Sequence, residues 1–106
     1  MRFVNRTAVV IVPGQRYLDW LHEADPTSAR ISLLQVQSEP SVYLLPECDN
    51  DRQAMASLRK ACKEIFIHEL DSWYRDTETW PKQMGFQEFK RWFDYSFHSV
   101  VIDLCP

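Results

Sequence analysis

The run from Asp51 to Arg75, DRQAMASLRKACKEIFIHELDSWYR, constrains the fold more than any other stretch. At 100° per residue, Ala54, Met55, Leu58, Ala61, Cys62, Ile65, Phe66, Leu70 and Trp73 fall in one broad arc. Arg52, Gln53, Lys60, Lys63, Glu64 and Asp71 fill the opposite side. Neither Gly nor Pro interrupts the run, so the spacing predicts a helix over about 51–75, with Asn50 or Asp51 at its cap. One residue breaks the pattern: Glu69 sits near the middle of the apolar arc, one turn after Ile65 and one turn before Trp73.

Such an arc must be buried against other elements, and the flanking segments supply them. Thr7 to Val12, TAVVIV, is β-branched and continuously apolar, which predicts a central strand covered on both faces and ended by Pro13 and Gly14. Arg16 to His22 follows with Tyr17, Leu18 and Leu21 at helical spacing. Within residues 30–39, Ser32 can cap a short helix carrying Leu33 and Val36, although a strand fits the same residues. Ser41 to Leu45 reads as a second strand fenced by Pro40 and Pro46. After the long helix comes a polar loop, Asp76 to Gly85, holding Trp80, then a short helix marked by Phe86, Phe89, Trp92 and Phe93. Tyr95 to Leu104 closes the chain as a third strand, with His98, Val100, Ile102 and Leu104 on one face.

The predicted order is β-α-α-β-α-α-β, an α/β fold with a three-stranded sheet packed against helices. At 106 residues and 45% hydrophobic, the chain reads as a single domain spanning 1–106. A core of that size buries roughly 60 to 70% of the unfolded surface. The periodicity leaves strand directions open. A three-stranded sheet has two edges to blunt or pair, and pairing across a homodimer is one solution.

Charge and cysteine content narrow the function classes. The net charge of −3 is spread evenly along the chain with no basic cluster, which argues against nucleic acid and against an anionic membrane surface. No stretch approaches the roughly 20 apolar residues of a membrane span. Cys48, Cys62 and Cys105 are odd in number and far apart, as free thiols in a reducing cytoplasm would be. The short apolar run near the N-terminus lacks a following cleavage site and reads as a strand, so a cytoplasmic location is expected.

Three constellations carry candidate chemistry. A carboxylate among Ile65, Phe66 and Trp73 loses hydration, which favours its neutral form and suits a general acid or base; hydrogen bonds that only fix packing are the simpler account of Glu69. His68 precedes Glu69, but the second histidine of H-E-x-x-H is replaced by Ser72, and three scattered Cys and three scattered His make no metal-ligand spacing. His98 could meet Glu69 if the last strand lies beneath the long helix, which would make Glu69, His98 and His68 the catalytic candidates. Nine of the fourteen aromatics fall between Trp73 and Phe97. Most of these rings suit a core, with Trp80, Tyr74 and Trp73 the candidates for a binding surface. The Pro13 to Arg16 turn lacks the glycines of a phosphate loop, and no cofactor motif is present.

With AVVIVPGQRYLDWL, SVYLLPE, EIFIHELDSWYRDTETWP and FKRWFDYSFHSVVIDL in this order, the chain resembles a family of small bacterial proteins with no established activity. The likeness covers nearly the whole chain and is most specific at Glu69, Leu70, Trp73, Trp80, Pro81 and the closing W-F-D…H-S-V-V-x-D-L. It implies a compact cytoplasmic α/β protein, and no catalytic residue is carried over from it. Two functional expectations follow. The first is a non-enzymatic protein that binds another protein or itself. The second is a small enzyme or ligand-binding protein with a pocket around Glu69, His98 and Trp80.

Overall fold

The computed structural model describes residues 1–106. Its centre is β2 (Arg6–Pro13), flanked by β3 (Ser41–Pro46) and β4 (Phe93–His98) in the order β3-β2-β4, with both pairings antiparallel. Between these strands run α1 (Gln15–Ala24), α2 (Leu33–Gln37), α3 (Asp51–Asp71) and α4 (Phe86–Trp92). The chain is thus a small α/β domain. A separate two-stranded ribbon joins the chain's ends: β1 (Arg2–Phe3) against β5 (Ile102–Asp103).

Local signals account for the element boundaries. Asn50 caps α3 by accepting a hydrogen bond from the Gln53 amide. Ser32 and Gln35 form a reciprocal capping box on α2, which settles residues 33–37 as helix. Gly14 opens α1 where the chain passes close to α4: its amide donates to the Trp92 carbonyl at 2.8 Å, and an added Cβ would lie 3.4 Å from that oxygen.

The helices lie against one face of the sheet. On that face Val9 and Ile11 of β2, Leu45 of β3 and Phe93 of β4 are buried, with Tyr43, Tyr95 and Phe97 packed at the margin. From α3 come Leu58, Cys62, Ile65, Phe66 and Leu70. Rings fill the space between helices: Phe66 meets Phe93 edge to face at 5.2 Å, and Tyr17 meets Trp92 edge to face at 6.2 Å. Large rings at these separations bury about 150 to 250 Å² each, which a three-stranded sheet needs to close a core this small.

Four expectations are corrected. The helix predicted over 51–75 ends at Asp71, so Trp73 leaves the apolar arc and is 43% exposed. The strand predicted over 95–104 splits at Ser99–Val101 into β4 and β5. The pairing explains the break: Ala8 faces His98 but Phe3 faces Ile102, so the N-terminal strand holds one extra residue, as in a β-bulge. Phe93, placed on the short helix by spacing, begins β4 instead. Finally, β2 is covered on one face only. Val10 and Val12 of its other face are partly exposed, and their neighbours Val42 and Leu44 on β3 are 60% and 56% exposed. No helix of the chain is long and apolar enough to cross a membrane.

Candidate functional site

Glu69 occupies the last full turn of α3, where the 3.6-residue period turns it toward β3. On that strand the two-residue alternation aims Ser41, Tyr43 and Leu45 at the helix and Val42 and Leu44 away from it. The two periods bring Glu69 onto Ser41 and Tyr43. Its Oε2 accepts the Ser41 hydroxyl at 2.8 Å and the Tyr43 hydroxyl at 2.5 Å, with only 7% of the side chain exposed. Both partners on the carboxylate are side-chain hydroxyls from β3.

The main chain beneath is held as firmly. The Glu69 carbonyl accepts hydrogen bonds from the buried Tyr17 hydroxyl of α1 and from the Ser72 hydroxyl at 2.8 Å. Burial pushes the Tyr17 phenol well above its ordinary value, and the nearby Glu69 charge adds to this. Tyr43 is pushed up in the same way, first by burial and then by its hydrogen bond to Glu69. Both phenols therefore stay protonated, Tyr43 as a donor to the carboxylate and Tyr17 as a donor to the main-chain carbonyl beneath it.

His68 completes the group at the surface. Its Nδ1 lies 2.7 Å from the Tyr43 hydroxyl and 3.7 Å from Glu69 Oε2, with its ring edge to face against Tyr43 at 5.7 Å. Tyr43 has one proton between two partners, so two arrangements satisfy the geometry. Either Tyr43 donates to the Glu69 carboxylate and receives from His68 Nδ1–H, or a protonated Glu69 donates to Tyr43, which donates to His68.

The other candidate residues lie elsewhere. His98 sits on the helix-free face of β4, bonded to Ser96 Oγ at 2.9 Å, so the sheet separates it from Glu69. Trp80 is half-buried on its loop, its indole N–H donating to the Tyr74 carbonyl at 2.9 Å, and Tyr74 packs at the core's margin. Both rings are turned inward to hold the loop. Trp73 instead walls a cleft of about 280 Å³ beside Glu69, which also meets Glu39, Ser41 and Ser72. The expected pocket around Glu69, His98 and Trp80 is therefore replaced by a cleft around Glu69 and Trp73. No three His, Cys, Asp or Glu side chains converge on a common point.

A second candidate surface lies on the helix-free face. Val10, Val12, Val42 and Leu44 form its apolar part, and Asp94, Ser96 and His98 form a polar border along β4. In the separate ribbon Phe3 and Ile102 are also exposed, as are Val100 and Leu104 on either side of β5. The alternation in SVYLL carried the signal for this face: it separates Val42 and Leu44 from Tyr43 before any fold is known. Compared with protein-family models, curated proteins and solved structures, the chain matches none.

Proposed function

We propose that this protein works as a self-associating, non-enzymatic module in which the helix-free face of the sheet stacks on the same face of a second copy. The carrying observation is that Val42 and Leu44 stand more than half exposed at alternate positions on one strand face, beside the partly exposed Val10 and Val12 of β2. A second copy suits this face because the face complements itself. A two-fold axis across the strands along the row Val42, Val10, Ser96 places each Val42 against its equivalent and each Asp94 opposite the other copy's His98. Sheets stack in this way at about 10 Å, with apolar side chains interleaved.

The separation of His98 from Glu69 and the internal satisfaction of Glu69 Oε2 favour this reading over an enzyme built on those two residues. A cytoplasmic location belongs to the same proposal. The three cysteines are unpaired, which suits a reducing compartment. The resemblance to small bacterial proteins likewise remains part of the proposal and bears on no substrate.

Leu44→Glu tests it. The position is more than half exposed in the single chain, so the fold should survive, while each copy would bury an unpaired carboxylate in the stack. Two-fold symmetry applies the change twice, so at roughly 1.4 kcal/mol or more per charge the pairing should weaken by at least about a hundredfold. Light scattering on the eluting protein reads the outcome. An unchanged mass for a folded Leu44→Glu variant would remove this face from any role in association.

A further inference from the structure

The cleft beside Glu69 has a donor and acceptor balance that selects a ligand. Glu69 Oε2 is engaged by Ser41 and Tyr43, but no donor of the chain reaches Oε1. No side-chain nitrogen or oxygen is sealed from solvent without a partner, so this unpartnered Oε1 of a 7% exposed side chain opens into the cleft. The serines of the wall are already committed as donors. Ser38 gives its proton to the Gln35 carbonyl at 2.7 Å, Ser41 to Glu69 Oε2 at 2.8 Å and Ser72 to the Glu69 carbonyl at 2.8 Å. Each hydroxyl oxygen therefore offers only lone pairs to a guest.

Glu39 adds a second carboxylate, and neither Lys nor Arg lines the cleft. The remaining donors of the wall side chains are the Gln35 amide and the Trp73 indole N–H. With Oε1 unpartnered and no Lys or Arg in the wall, the two carboxylates leave the cleft complementary to a bound cation. At about 280 Å³ the space is far larger than a bare ion needs, and the aromatic Trp73 is among its lining residues. Aromatic walls favour organic cations.

We infer that this cleft is a binding site for a small primary alkylammonium ion, held by Glu69 Oε1 and Glu39, with its N–H groups on the serine oxygens and its alkyl part against Trp73. The site lies on the helix-covered side of the sheet, so it neither requires nor blocks stacking of the opposite face.

Titration of the full chain with n-butylammonium, followed by two-dimensional amide and indole NMR, tests it. Tetramethylammonium, n-butanol and Mg²⁺ serve as parallel probes. The expected result is a saturable shift centred on Ser41, Glu69, Ser72 and the Trp73 indole for n-butylammonium. Tetramethylammonium, which keeps the charge without N–H donors, and butanol, which lacks the charge, should each bind at least about tenfold more weakly. Glu69→Gln should weaken n-butylammonium binding by at least about tenfold, since a charged hydrogen-bond partner is lost. Should that variant fail to give a folded spectrum, Glu39→Gln at an exposed position must show the weakening instead. Equal shifts from tetramethylammonium or butanol, a response to Mg²⁺ alone, or no saturable shift at these residues would each overturn the inference.

Discussion

Glu69 shows how a single residue can be legible in one respect and hidden in another. Its place on the apolar arc follows from the 3.6-residue period within one helix, and the structure buries it there at 5% exposure. Its partners could not be read in the same way, because Ser41 and Tyr43 lie 28 and 26 residues away and arrive only when α3 is laid across β3. The alternation in the closing segment correctly set His98 opposite Phe97. A period of two, however, cannot say which face becomes the core, and pairing with Ala8 turned His98 outward. The raised phenols at Glu69 give a prediction in pH. In the unfolded chain Tyr17 and Tyr43 lose their protons near the ordinary value of about 10, whereas the folded chain keeps them. The native state then binds more protons, so the stability that this site contributes is fully present below about pH 10 and is lost as pH rises through the raised folded values. Melting temperatures should fall more steeply above about pH 10 in the native chain than in Tyr43→Phe, which removes one of the two phenols. Parallel curves would show that Tyr43 titrates alike in both states.

Among the elements, caps and breakers were the readable parts. Asn50 and Ser32 start helices by side-chain capping, Gly14 starts α1 where the chain passes close to Trp92, and Pro40 and Pro46 bracket β3. The ends that depend on tertiary packing were not readable. The apolar wheel of α3 continues to Trp73, yet the chain leaves the helix at Ser72, whose hydroxyl bonds back to the Glu69 carbonyl. The last strand carries no Gly or Pro at its break, because the interruption comes from an extra residue on the strand it pairs with. Asn50→Ala should cost about 1 kcal/mol, since it removes the side-chain acceptor for the Gln53 amide at the start of the longest helix. Chemical denaturation should show a lower midpoint at unchanged slope. An unaltered midpoint would mean that another group takes over that amide.

Across the whole molecule, the layer arrangement decides what is left for function. All four helices gather on one side of an antiparallel sheet, so the chain has a well-packed core and one open face carrying Val42 and Leu44. That asymmetry was missed because β2 reads as apolar throughout. Of its outward residues the small Ala8 is buried between its strand neighbours while Val10 and Val12 stay partly exposed, with no helix over them. A lone three-stranded sheet with an apolar outer face gains most by meeting its own image, which buries the same residues on both sides. The most direct measurement is sedimentation equilibrium of the native chain over a wide concentration range. The account predicts a mass that rises toward twice the 12.6 kDa of the single chain as concentration increases. A mass that stays at the single-chain value across the whole range would contradict it.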